Sequence, residues 1–361
     1  MVKTFNFSAG PAMLPRQVMS KWQTLAQASP FPNSHIGFME IGHRTKAFQE
    51  VVQTFIANLR SLLVIPEHYH VLLMPGGGRM QFATVAMNLM GRGDAGADYF
   101  ETGLWSQQAI AEARRFGNVH TVVSAIENDY RCIPDKALWR LRQEASYCHY
   151  VSNETAHGLF FGDVPETHGV PLVVDMTSDL LARPINIADY GLVYAASQKN
   201  LGAAGFTVVI VRDDLLGDAP NSIPSQLDYR SYLDDPTPVT PVTFAIYLAS
   251  LVTAWIGEEG GLEVMEKRNA SKAKKLYDFL DESSHFDAPV LEKYRSHTNV
   301  IFQLNAPNKT PELIAFAEQS GLYGLGGHRA VGGLRASLYN AMEEEGVDAL
   351  IDCLKRFVLN A

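Results

Sequence analysis

The chain has 361 residues, 47% of them apolar and 19% charged, and a formal net charge of −9. That length exceeds one ordinary core, so two domains are expected, and the apolar share excludes a disordered chain. The acidic balance argues against nucleic acid or an anionic membrane surface as the main partner, because both attract basic faces.

Cys132, Cys148 and Cys353 are widely spaced, with no metal-ligand spacing such as C-x-x-C, so neither a metal site nor a disulfide framework is expected. The first residues, Met1-Val2-Lys3-Thr4-Phe5-Asn6, lack an apolar signal core. The longest apolar run, 244–256, is shorter than the ~20 residues that cross a bilayer. A soluble, cytoplasmic protein is expected.

Residues 5–15 are irregular, with Gly10-Pro11 as a turn. From Arg16 the pattern is helical, and Phe48, Val51, Val52, Phe55, Ile56, Leu59 and Leu62 recur at helical spacing over 46–63. Strands and helices then alternate: strand 71–74, helix 79–90, strand 98–101, helix 106–116. Further strands are predicted at 120–124, 147–151, 171–174, 191–196 and 206–211. This alternation predicts an α/β fold, a mostly parallel sheet between helices. Residues 213–241 are rich in Pro, Asp and Ser and read as a long loop. A helical stretch from 244 to about 283, broken at Gly260-Gly261, leads into strand 299–304, helix 311–320, strand 334–338 and helix 345–359. The expected organisation is an N-terminal segment, 1–15, packing on a small C-terminal domain, 259–361, with a large domain at 16–258.

Two of these strands carry chemistry at their ends. Strand 171–174 delivers Asp175, and strand 191–196 runs into Ser197-Gln198-Lys199-Asn200. Carboxyl ends of strands are where α/β folds build sites. A lysine can bind the aldehyde of pyridoxal phosphate as a Schiff base, and a carboxylate can keep its pyridine nitrogen protonated. The plainer alternative is a surface lysine and an aspartate capping the next helix.

Gly76-Gly77-Gly78-Arg79 opens a helix after strand 71–74, where backbone N–H groups can cradle a phosphate; a tight turn is the alternative. Trp105, just past a strand end, suits stacking on a flat ring, or simply the core. His43-Arg44 and His328-Arg329 are glycine-flanked pairs, and Arg335 follows Gly332-Gly333-Leu334. Guanidinium groups bind carboxylate and phosphate in a bidentate way. Any one of these is plain surface charge on its own; two such pairs in an acidic chain point to a dianionic small substrate.

Asn6-Phe7-Ser8-Ala9-Gly10-Pro11-Ala12, Gly42-His43-Arg44, Gly76-Gly77-Gly78-Arg79, Ser152-Asn153-Glu154-Thr155, Ser197-Gln198-Lys199-Asn200 and the run from Gly327 to Ser337 resemble the phosphoserine aminotransferases. These are class V aminotransferases of the type I pyridoxal phosphate fold. The resemblance covers about residues 4 to 358. It implies that Lys199 holds the cofactor aldehyde and shuttles a proton, and that Asp175 pairs with the pyridinium nitrogen. Trp105 would stack on the ring, Thr155 and Thr240 would contact the cofactor, and Gly78, Arg79 and Gln198 would hold its phosphate. Arg335 would bind the substrate α-carboxylate. His43, Arg44 and Arg79 would bind its distal anion, joined by His328 and Arg329 from the partner subunit of a homodimer.

The implied reaction interconverts 3-phosphohydroxypyruvate plus glutamate with phosphoserine plus 2-oxoglutarate, in serine biosynthesis. The pyridoxine-pathway substrate 4-phosphohydroxythreonine is a second candidate. Another acidic amino acid, or a non-catalytic binding module of the same fold, are the alternatives. Val239 stands where the family carries an asparagine that reaches the neighbouring subunit's cofactor phosphate, and Met80 and Thr45 replace smaller residues.

Overall fold

A computed structural model describes residues 3–27, 36–92, 95–217 and 219–360; residues 1, 2 and 361, which the expected domain limits include, lie outside them. Seven strands form the central sheet: β1 (Tyr69–Pro75), β2 (Ala97–Glu101), β3 (Val119–Ser124), β4 (Cys148–Val151), β5 (Leu172–Asp175), β6 (Leu192–Ala196) and β7 (Phe206–Arg212). Their order across the sheet is β1-β7-β6-β5-β4-β2-β3. The pairs from β3 to β6 are all parallel, while β7 is antiparallel to both β6 and β1. The mostly parallel sheet expected from the alternation is present, with one reversed strand. The link 197–205 explains the reversal, because a parallel crossover takes roughly a dozen residues or more.

Six strands therefore point the same way. The carboxyl ends of β1, β2, β4, β5 and β6 deliver Gly76–Arg79, Gly103–Trp105, Asn153–Thr155, Asp175 and Ser197–Lys199 to one edge of the sheet. Every strand residue from Leu192 to Ala196 is buried, as expected for a strand covered on both faces.

Helices α1 (Arg16–Gln27), α2 (Lys46–Leu63), α3 (Gly78–Leu89) and α4 (Leu104–Ala113) precede or interleave the first strands. The α2 stripe is Phe48, Val52, Phe55, Leu59 and Leu63, all buried, and each contributes about 1.5–3 kcal/mol by leaving water. Thr45 starts α2 by accepting from Phe48 N, and Val64 ends it in the left-handed conformation. This stripe packs on α5 (Thr243–Glu258), which is apolar nearly all round.

The described part of the predicted loop, 213–217 and 219–241, is more ordered than its composition suggests. It carries short 3-10 turns, and Tyr229 and Tyr232 are fully buried under α3 and β1. Tyr229 donates its hydroxyl to Gln81 Oε1 at 3.0 Å.

The break at Gly260 and Gly261 is real, since both have positive φ (104° and 83°), which favours glycine. Beyond it, α6 (Leu262–Glu282) joins two cores. Leu262 and Met265 belong to the cluster around α2 and α5, whereas Ala273, Leu276 and Leu280 pack into a second cluster. That second cluster surrounds a three-stranded sheet, β8 (Phe286–Asp287), β9 (Asn299–Leu304) and β10 (Leu334–Ser337), with helices α7 (Thr310–Gln319) and α8 (Glu344–Asn360). Phe5 and Phe7 are buried in it, and Phe5–Asn6 pairs in parallel with Leu322–Tyr323.

Candidate active site

A cavity of about 380 Å³ opens at the strand-end edge, lined among others by Gly78, Arg79, Trp105, Thr155, Asp175, Gln198 and Lys199. The expected cofactor-binding residues other than Thr240 thus come together. Lys199 Nζ donates to Thr155 Oγ1 at 2.6 Å. Burial pulls the Lys199 amine down to about 8; Asp175 opposes this and Arg335 adds to it.

Burial raises the Asp175 carboxyl, while the Thr177 backbone and side chain and the charge on Lys199 pull it back. Thr177 N donates to Asp175 Oδ1 at 2.8 Å, leaving Oδ2 on the Gly78 side. A Cβ at Gly78 would meet Thr177 Oγ1 at 3.0 Å, so a larger residue at the helix start would crowd the hydroxyl that steadies Asp175. Under Asp175, the opposed Tyr194 is fully buried, its hydroxyl 2.9 Å from His149 Nε2. Burial lowers His149 to about 3, so it is neutral.

The lysine turn is anchored on both sides. Ala12 N donates to Gln198 O at 2.9 Å, and a Cβ at Gly10 would meet Gln198 Cγ at 3.0 Å. Asn200 Oδ1 accepts from Asn340 N at 3.1 Å, and Asn340 Oδ1 accepts from Asn269 Nδ2 at 2.7 Å. Strand β10, which carries Arg335, is held by Lys272, whose Nζ donates to the carbonyls of Leu338, Tyr339 and Met342 just beyond the strand.

The substrate-side residues divide. Arg335 faces Lys199 and His328 electrostatically, and its Nε is buried without a hydrogen-bond partner. Within the single chain His328, expected to serve the partner's site, lies edge-on to Trp105, with ring centroids 5.7 Å apart. The turn Gly326–Gly333 folds back on the start of β10, with Gly327 N donating to Gly333 O at 3.0 Å, which sets His328 beside Trp105. Arg329 is exposed beside it. His43 and Arg44 sit just before α2; like His328, Arg329 and Arg335 they are not among the residues lining the cavity, and His43 Nε2 is buried without a partner. Thr240 is exposed and also absent from the lining, while Val239 packs against the apolar cluster around Phe82 and Tyr194.

Sequence reasoning missed Thr177 and Glu154. Glu154 lies within Ser152-Asn153-Glu154-Thr155, and its signal is that Gly103, ahead of α4, has no capping side chain of its own. Glu154 is 0% exposed, and burial raises it to about 7 against hydrogen bonds from Ser106 and Trp105.

The site fits pyridoxal phosphate. A helix N-terminus with Gly78 and Arg79 can hold an anion, Lys199 offers an amine, Asp175 a carboxylate, and Trp105 an indole face whose Nε1 is buried and unpartnered. Fold and site together define an aminotransferase, and the comparisons agree. The family model Aminotransferase class-V matches residues 4–350. Phosphoserine aminotransferases from Pseudomonas entomophila (45% identical, 98% of each chain) and Coxiella burnetii (44% identical, 99% of each chain) are close relatives. Solved structures agree: phosphoserine aminotransferase from Bacillus circulans subsp. alkalophilus has a TM-score of 0.94 at 39% identity over 98% of each chain. The pyridoxal phosphate-bound phosphoserine aminotransferase from Trichomonas vaginalis has a TM-score of 0.92 at 35% identity, covering 98% of this chain and 100% of that one. The chain belongs to the class V aminotransferases and, within them, to the phosphoserine aminotransferase family.

Proposed function

We propose that the chain is a pyridoxal phosphate-dependent aminotransferase exchanging the amino group between O-phospho-L-serine and L-glutamate, with 3-phosphohydroxypyruvate and 2-oxoglutarate as the keto acids. The observation that carries this reading is the Lys199–Thr155 hydrogen bond, set in one cavity with Asp175, in a chain of this family. When bound, pyridoxal phosphate supplies an aldehyde for the amino group and a ring that accepts the electron pair released at the substrate Cα.

The chain's own residues do the rest. Asp175 would face the ring nitrogen and keep it protonated; its geometry is fixed by Thr177. Gly78, Arg79 and Gln198 would hold the phosphate. Lys199 changes protonation near neutral pH, so its Nζ can take a proton from the substrate Cα and return it. Arg335 binds the α-carboxylate, and its unpartnered Nε is a donor for it. The distal phosphate or carboxylate meets Arg79 and His328.

His43 and Arg44 complete the distal pocket from a second copy of the chain in a homodimer. Supporting this, the single chain leaves them outside the cavity lining and leaves His43 Nε2 without a partner. A division into two units is supported by the separate apolar clusters, and because Leu262 and Met265 pack with the first of them, we set the boundary within α6 rather than at 259. A cytoplasmic location is supported by three free cysteines and by the absence, among the described residues, of any helix long and apolar enough to cross a membrane.

The test is a coupled assay with 3-phosphohydroxypyruvate and glutamate. Turnover that disappears with Lys199→Ala supports the reading. A cofactor-loaded protein that turns over unphosphorylated acidic substrates and not phosphoserine would overturn it. 4-Phosphohydroxythreonine, which offers the same anion, is assayed alongside.

A further inference from the structure

The first turn of α4 has no N-cap side chain of its own. Gly103 precedes it, and a helix start leaves backbone N–H groups without partners. Ser106 Oγ accepts from Thr102 N at 2.8 Å and from Gly103 N at 2.9 Å. The next three N–H groups all go to one distant turn: Leu104 N to His157 Nδ1 at 3.3 Å, Trp105 N to Glu154 Oε2 at 3.0 Å, and Ser106 N to Glu154 Oε1 at 2.9 Å. That turn is the one that presents Thr155 to Lys199. Gly103 is required for the contact, because a Cβ there would meet Glu154 Cδ at 2.5 Å and Oε2 at 2.7 Å. A local Ser or Asp cap would serve the helix alone equally well. The remote carboxylate does something a local cap cannot: it ties the backbone that carries the indole to the turn that touches the lysine.

We propose that Glu154 is a positioning residue for the cofactor ring, holding Trp105 in register with Thr155 and Lys199 through the α4 backbone. This rests on the cofactor assignment made above. Both carboxylate oxygens are needed as acceptors. Glu154→Gln keeps the shape but turns an amide N–H₂ toward one backbone N–H, donor against donor, and so releases one anchor of Trp105.

The test measures pyridoxal phosphate affinity of the apoprotein by equilibrium dialysis, together with the near-UV circular dichroism of Trp105, isolated by subtracting the Trp105→Phe spectrum. Glu154→Gln should raise the cofactor Kd about tenfold and weaken the Trp105 signal, and Gly103→Ala should do the same. In a Trp105→Ala background, Glu154→Gln should change the Kd by less than about twofold, because the residue it acts through is gone. Independent, additive losses in that double-mutant cycle would overturn the proposal. So would a Glu154→Gln protein that melts earlier yet binds cofactor with wild-type affinity below its transition, since that is the mark of a plain helix cap. If Gly103→Ala alone folds poorly, the Glu154→Gln cycle still decides. Failure of the cofactor assignment reads differently: the unaltered chain itself would bind no pyridoxal phosphate.

Discussion

Lys199 Nζ and Thr155 Oγ1 are 2.6 Å apart although they follow different strands, β6 and β4, with β5 between them. The hydroxyl accepts from the amine above the strand that ends in Asp175. The sheet therefore sets acid, amine and hydroxyl by strand spacing, without relying on a flexible loop. Rigid strands hold such a constellation more tightly than loops do.

The first prediction concerns the charge of that amine. Burial outweighs the attraction of Asp175 and lowers Lys199 to about 8. A lowered lysine is ammonium below that pH and neutral, nucleophilic amine above it. In the apoprotein, the rate of modification of Lys199 by a small acylating reagent, followed by mass spectrometry, should rise with a midpoint near 8. An ordinary exposed lysine has its midpoint at about 10.4. Thr155→Val removes an acceptor that favours the ammonium, so its midpoint should move lower still. A midpoint at the ordinary lysine value would contradict the buried setting.

The second prediction separates the two ends of the substrate. Arg335→Lys loses the bidentate fork, and charge-assisted contacts are worth about 1.5–3 kcal/mol. KM should rise roughly ten- to a hundredfold for phosphoserine, glutamate and alanine alike, because all three carry an α-carboxylate. His328 is held toward its neutral form by burial and by the nearby Arg335 and Arg329. A neutral donor contributes about 0.5–1.5 kcal/mol. His328→Ala should therefore raise KM for phosphoserine by up to about tenfold and leave alanine unchanged. Equal losses for alanine and phosphoserine would remove His328 from the distal-anion pocket.

Local patterns made much of this site legible. The apolar runs ahead of Asp175 and Lys199 mark buried strands, and glycines before Arg79 mark a helix start. The α2 stripe predicts 46–63, and the helix is observed as Lys46–Leu63. Long-range pairing was not legible. Nothing in 206–211 says that β7 inserts antiparallel between β1 and β6, because both of its faces are apolar in either direction. Helix α4 was expected from 106 and begins at Leu104, because its cap, Glu154, lies far away in sequence. Thr177 escaped notice because a short polar residue after a strand reads as an ordinary turn. The side of the site served by His328 depends on how its glycine turn folds back, which spacing alone does not specify.

The last prediction tests which residues cross between subunits. None of His328, His43 and Arg44 lines the cavity, but His328 packs on Trp105, which does, in its own chain. In an isologous dimer, a residue serving the other site can be complemented and a residue serving its own site cannot. Lys199→Ala destroys its own chain's site. Mixed with Arg44→Ala, it should regain activity, because a heterodimer joins the intact Lys199 of one chain with the intact Arg44 of the other. Random reassortment makes half the dimers mixed, each with one whole site, so recovery should approach about one quarter of the unaltered activity. Mixed with His328→Ala, the same Lys199→Ala chain should give no recovery above the unmixed variants. Subunit exchange is verified with two affinity tags. Recovery with His328→Ala and none with Arg44→Ala would assign the crossing residues to the Gly326–Gly333 turn instead, and the contact between His328 and Trp105 would then have to change on dimer formation.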